Sequence, residues 1–367
     1  MNLDADTSQW SLKRSIETDD LIFMWERGFG DDVSNPPQLE GHDMSFNLTN
    51  LRDRVQTFYH FFRDTLGFVT SHHQSKADYY KMMVMVNYSL DGTAYGGTYD
   101  NFIGALWVAP NRIQDMKMNC MAHELGHSFQ SQIMADSIGD CWGGTGFFEM
   151  ASQWMLWQVN PDWLTDENYH FEAFKKLTHK AFLDMENIYH SPYVIQWWSD
   201  LHGRKSIAEL FREGRIGETP ATTYMRLNGL DERAFCIEML RGYQHLVNFD
   251  FKHARSQTRR YACTFDTELT DGGKGWLSPK DAPEWCGFNA IKLDSRVNLQ
   301  SKQFSVKLKG SGVCYAFVGV TADGESLYGE VDSPIFKTPA GKTLQHLYLV
   351  VMGTVENPSP YAFKIQK

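Results

Sequence analysis

His123 and His127 stand four residues apart in the stretch CMAHELGHSFQ (120–130), with Glu124 directly after the first. On a helix, positions i and i+4 share a face about one turn apart. Both imidazoles can therefore aim at one point, and neutral imidazole is a good ligand for Zn2+. Two such ligands leave room for a third and for a water. Glu124 is rotated by about 100° of helical turn. It lies beside the metal rather than on it, placed to take a proton from that water. The competing reading is a surface helix that happens to carry two histidines. Met118, Met121, Ala122, Leu125 and Ile133 argue against it, because they make the helix apolar around much of its circumference. Two histidines and a glutamate buried there without a metal would leave costly polar groups.

A third ligand is needed. The pattern HExxHxxGxxH is excluded, since Gln130 and Ile133 occupy the two later positions. A glutamate from a following helix is the other common solution. Glu149, in GGTGFFEMASQW, lies 22 residues past His127, beyond a loop that lets the chain turn back. Its neighbours Phe147, Phe148 and Met150 are large and apolar, and a carboxylate in such company wants a cation. The dipole at a helix N-terminus also favours a glutamate there without any ligation. Asp136 and Asp140 are closer in sequence and compete for the same role.

HELGH followed by FFEMASQW, an upstream IGALWVAP and a downstream YVIQWWSDLHG resemble the gluzincin peptidases secreted by bacteria, over roughly residues 15–245. In spacing the chain is also similar to enhancin-like, mucin-directed peptidases. The resemblance implies a zinc-dependent peptidase, most simply an endopeptidase, acting on protein or glycoprotein through a zinc-activated water, with Glu124 as general base. It implies that FIGALWVAP is an edge strand on which extended substrate lies, through Gly104, Ala105, Leu106 and Trp107. It further implies an oxyanion donor from a later helix, with Tyr193 first and His190 second in NIYHSPYVIQWW. The chain departs from the thermolysin-like pattern at two places. Gln153 stands where an aspartate would hold a zinc-bound histidine, and Phe148 stands where an asparagine would precede the ligand glutamate. The alternative is a catalytically inactive protein of the same fold that binds glycan or glycoprotein.

The elements that must position these residues can be read from periodicity and turn residues. Strands are predicted at 19–26, 80–89 and 102–110, and helices at 48–68, 114–134, 147–159, 167–186, 192–202, 205–213 and 231–247. The glycine-rich 90–101 lacks phosphate-loop spacing and reads as a turn-rich connection. From about residue 255 the texture changes to short alternating stretches at 288–294, 303–309, 313–320, 327–331, 344–353 and 361–366. The expected fold is α+β. A zincin-like catalytic domain (1–254), a mixed sheet plus helices carrying HExxH, precedes a C-terminal antiparallel β-sandwich (255–367). Trp276 and Trp285 are candidate sugar platforms there, with core packing as the alternative.

Composition excludes several classes. The 367 residues are 42% hydrophobic, so a full core can form. A net charge of −10 argues against nucleic acid, which needs a basic patch. No stretch of 18 apolar residues occurs, so no transmembrane helix is expected. The polar start MNLDADTSQWSLKR has no apolar h-region. The resemblance implies a secreted, periplasmic or cell-surface protein whose signal peptide has been removed; a cytoplasmic chain is the alternative. A monomer is expected. None of the six cysteines forms a CxxC pair, and Cys263 with Cys286 could bridge within one module, against isolated buried thiols.

Overall fold

The computed structural model describes residues 2–69, 75–137, 139–253 and 255–366. The fold is mixed α+β with several antiparallel sheets. The chain divides into two compact units, residues 1–163 with 201–224, and residues 164–200 with 225–367.

The first unit is built on β1 (Ser15–Glu17), β2 (Leu21–Trp25), helix α1 (Leu48–His60), β3 (Met82–Val86), β4 (Ala94–Tyr99) and β5 (Ile103–Val108). The sheet order is β1-β2-β3-β5-β4, with β2, β3 and β5 parallel and both edge strands antiparallel. The parallel strands are apolar on both faces, as sheets covered on both sides require. Register aligns Phe23, Val84 and Leu106 on one face. Met24, Met85 and Trp107 share the other face, where Trp10 packs. The segment read as a turn-rich connection holds β4. Its two adjacent glycines hide the strand signal, yet Ala94 to Tyr99 pair residue by residue with Val108 to Ile103. In consequence β5 is not an edge. It is paired on both sides, and β4 is the edge.

Helix α2 (Asn119–Asp136) follows β5, and α3 (Phe147–Val159) follows α2. The expected start of α2 near residue 114 is too early, because Met118 takes a left-handed conformation (φ 58°) that no helix continues through. Polar side chains tie α2 to the sheet. Gln132 Oε1 accepts from the Gly104 amide at 2.7 Å, and Ser128 Oγ donates to the Ala105 carbonyl at 2.9 Å. Phe129 packs its ring against Tyr59 of α1 and the nearby Phe62. Helices α4 (Trp163–Asp166), α5 (Asn168–Leu177), α6 (Tyr193–His202), α7 (Lys205–Glu213), α8 (Pro220–Asn228) and α9 (Glu232–Val247) come next. The expected helix 167–186 stops at Leu177, and α8 escaped the periodicity analysis.

The second unit continues with α10 (Arg255–Thr258), β6 (Leu269–Asp271), β7 (Leu277–Pro279), β8 (Phe288–Lys292), β9 (Gln303–Lys309), β10 (Val313–Thr321), β11 (Ser326–Tyr328), β12 (Ile335–Lys337), β13 (Leu344–Gly353) and β14 (Ala362–Gln366). Two antiparallel sheets result, β11-β10-β13-β8 and β12-β9-β14-β7-β6. They share one core, in which Ile291, Phe317 and Leu349 of the first meet Val306, Phe336 and Phe363 of the second. The texture change near residue 255 marks where strands begin, and residue 254 itself lies outside the described residues. The compact units divide elsewhere. Phe171 and Phe174 of α5 contact Phe265 and Phe288, and Gln244 of α9 donates to the Phe317 carbonyl, so these helices belong with the sheets.

Gly126 lies where α2 crosses α3. A Cβ there would stand 2.8 Å from Ser152 Oγ and 3.3 Å from Ser152 Cα. Overpacking of this kind typically costs about 1–3 kcal/mol. Gly126→Val should lower the urea midpoint accordingly. An unchanged midpoint would mean that the two helices separate at no cost.

Candidate metal centre

Helix α2 delivers His123 and His127 from one face, and the first turn of α3 delivers Glu149. Their donor atoms form a small triangle. His123 Nε2 lies 3.1 Å from Glu149 Oε2, His127 Nε2 lies 3.0 Å from the same oxygen, and the two nitrogens are 3.1 Å apart. One proton cannot serve three such edges. A four-coordinate ion at the usual ligand distances, roughly 2.0–2.1 Å, spaces its ligands about 3.3 Å apart. The triangle is close to that size, and the residues present fit a metal. Among the described residues, His123, His127 and Glu149 form the one group of three or more such side chains able to hold an ion.

The second ring nitrogen of His127 is also placed. Nδ1 lies 3.1 Å from Gln130 Oε1, while Gln130 Nε2 donates to the Phe148 carbonyl and to Ser152 Oγ, each at 3.1 Å. Because the amide nitrogen is committed to two acceptors, the amide oxygen faces the imidazole. Nδ1 therefore carries the proton, and the Nε2 lone pair is left for a metal. Gln153 stands at the position of the orienting aspartate in the thermolysin-like pattern, but for His127 the contact comes from Gln130, a residue the sequence had offered only as a reason to exclude another ligand pattern. Gln153 is buried on α3, one turn past Glu149.

Burial opposes charge on Glu149, but when His123 and His127 are protonated their hydrogen bonds to it outweigh burial and hold the carboxyl well below its usual range. Burial likewise pulls the His127 pKa down. The bond to Glu149, with smaller contributions from the charges of Glu149 and Glu124, raises it on balance. That charge interaction puts the Glu124 carboxylate near His127, and Glu124 is 9% exposed.

The competing carboxylates are used elsewhere. Asp136 accepts from Ser75 Oγ, from the Lys76 amide and from Gln132, closing the C-terminal end of α2. Asp140 accepts from the amides of Trp142 and Gly143 in the loop before α3.

The expectation that Gly104 to Trp107 receive substrate by strand addition is corrected by the topology, because β5 already has a strand on each side. The exposed edge belongs to β4, and β4 lies directly on the motif helix. A Cβ on Gly96 would stand 1.9 Å from the Glu124 carbonyl oxygen and 2.9 Å from His127 Cβ, so only glycine permits this approach. The pair of glycines in AYGGTY was the available signal. Tyr193 and His190 lie in the second unit. Tyr193 is 2% exposed, its ring packs on Phe174 at 4.7 Å, and burial pushes its phenol well above the ordinary range. His190 Nδ1 lies 2.7 Å from His170 Nδ1. Trp285 stacks on Phe235, and Lys309 sits over the ring of Trp276.

The whole chain, residues 1–367, matches the model of DUF6055, described as a family of unknown function. The chain belongs to the DUF6055 family. No curated protein matches it. Among the described residues no helix is long and apolar enough to cross a membrane.

Gln130→Leu in this DUF6055 chain should weaken metal affinity about 10–100-fold, the usual cost of removing a partner that orients a ligand. Competition with a chelator would measure it, and circular dichroism should show the helices intact. Affinity of the wild type should fall as the pH is lowered, because each imidazole must lose its proton to bind. The raised pKa of His127 extends that competition above pH 6.5. Equal affinities for variant and wild type would reduce Gln130 to a packing residue.

Proposed function

We propose that this chain is a zinc-dependent peptidase with a zincin-like catalytic unit, acting on protein or glycoprotein substrates. The observation that carries the reading is the triangle of His123, His127 and Glu149, with Glu124 beside it on the same helix. Two imidazoles and one carboxylate are a donor set suited to Zn2+, with a position left for substrate or water. The bound ion would supply Lewis acidity, polarising a carbonyl and making water more acidic. Glu124 then takes the proton of the attacking water and returns it to the leaving amine. His127 is kept in one tautomer by Gln130 and needs no rearrangement during turnover.

The edge strand β4 supports a peptide substrate. Its outer main-chain groups can pair with an extended chain as an added strand. The contact of Gly96 with Glu124 keeps that edge beside the proposed base. The substrate-binding role passes from Gly104–Trp107 to Ala94–Tyr99. The two antiparallel sheets of the second unit are read as an accessory β-sandwich that contacts glycan, and the location as secreted, periplasmic or cell-surface.

Protein purified with zinc present should contain about one zinc per chain, as a three-ligand catalytic site requires. Glu124→Gln should keep that zinc and lower kcat/KM on casein or mucin by about 10²–10⁴, the range for removing a general base. A zinc-free preparation would sink the proposal. Bound zinc with no hydrolysis by the wild type would favour the inactive glycan-binding alternative.

A further inference from the structure

Four of the six cysteines lie in the second unit, and three of them gather around the N-terminal half of α9. Cys236 lies on α9, Cys286 in the segment entering β8, and Cys314 on β10. Their exposures are 5%, 0% and 6%. Sequence proximity pairs Cys286 with Cys263, but the fold does not. The Cys263 amide bonds to the carbonyl of Val247, the last residue of α9. Cys236 lies near the other end of that helix, eleven residues earlier, or roughly 16 Å along the axis at 1.5 Å per residue. A disulfide tolerates a Cα separation of only about 4.4–6.8 Å.

Cys286 belongs with the N-terminal half of α9. The segment 285–288 runs along that helix, with Trp285 stacked on Phe235 (centroids 5.8 Å, 24°) and Phe288 stacked on Tyr243 (4.1 Å, 19°). Tyr243 Oη donates to the Cys286 carbonyl at 2.5 Å. Trp285 and Phe235 are the chain neighbours of Cys286 and Cys236, so their stacking sets these two cysteines next to each other, and the Tyr243 bond to Cys286 comes from the same helix two turns on from Cys236.

The segment is held firmly. The Cys286 amide donates to the Gly353 carbonyl at 2.8 Å, Phe288 donates to Thr178, and Gly353 donates to Gly287. A Cβ on Gly353 would stand 2.1 Å from the Glu284 carbonyl oxygen, and one on Gly287 would stand 2.3 Å from that of His179. Cys286 itself is kept at φ 56°, a left-handed conformation that persists in a non-glycine residue only when its surroundings impose it. The Cys286 backbone is thus fixed in place beside α9.

We propose that Cys236 and Cys286 are a disulfide-forming pair that covalently ties α9 to β8 when the protein folds in the presence of a low-molecular-weight disulfide. The thiolate of either cysteine attacks one sulfur of the small disulfide and displaces one small thiolate. The sulfur of the other cysteine, losing its proton, then attacks the protein sulfur of the mixed disulfide and displaces the second. Two cysteine thiols are oxidised by two electrons, and one small disulfide is reduced to two thiols.

The test is refolding of the reduced, denatured full-length chain in a buffer of reduced and oxidised glutathione, so that burial does not block the reaction. The product is then unfolded in the presence of an alkylating reagent. Two of the six cysteines consumed should leave four to be alkylated. Peptide mass spectrometry without reduction should find the Cys236 peptide joined to the Cys286 peptide. Cys236→Ser should abolish that link and leave Cys286 alkylated. Six alkylated cysteines, a link from Cys236 to Cys314, or a link through Cys263 would each overturn the proposal. None of these outcomes bears on the peptidase reading.

Discussion

The close approach of α2 and α3 at Gly126 and Ser152 is the contact on which the site depends. Two histidines on one helix can define a direction but not a three-ligand site. Glu149 reaches them only because the absence of a side chain at Gly126 lets the α3 backbone come within contact distance. Ser152 completes the arrangement, since its hydroxyl helps hold the Gln130 amide that fixes the tautomer of His127. Packing and protonation are thus set at the same crossing. Glu149, the Gln130 amide and the helix spacing cannot be altered independently.

The sheet supplies the other half of the geometry. Gln132 and Ser128 use their side chains to dock α2 on the main chain of β5, and Phe129 closes the apolar side against Tyr59 and Phe62. Beyond β5 lies β4, whose glycine at 96 lets the edge strand touch the helix between Glu124 and His127. The same residue type therefore sets both approaches to the motif helix, one from α3 and one from the sheet edge. Larger side chains at either position would move Glu149 away from the two imidazoles or the edge strand away from Glu124.

The second unit follows a different logic. Its sheets enclose one apolar core, and α9 covers the outer face of the sheet containing β10, β13 and β8. Strand β13 is buried along almost its whole length, because both of its faces are covered. Aromatic stacking along α9 seats the Trp285–Phe288 segment, and that seating brings Cys286 to Cys236. Sequence spacing had favoured Cys263, which the helix carries to its far end.

His123, Glu124 and His127 were legible in the sequence because a four-residue spacing becomes a shared face on any helix, whatever surrounds it. Glu149 was legible as a candidate for a similar reason, since its loop and apolar neighbours are local features. The strong strands and the long helices were legible through periodicity. Choosing among Glu149, Asp136 and Asp140 required the fold, because only the packing of α2 on α3 shows which carboxylate meets the imidazoles. The same holds for the edge strand. A glycine pair weakens the alternation of side chains that marks β-structure, and the pairing of β4 with β5 is a long-range fact that no local window contains. Roles that depend on which backbones can touch, as with Gln130, Gly96 and the Cys236–Cys286 pair, are properties of the folded chain rather than of its local pattern.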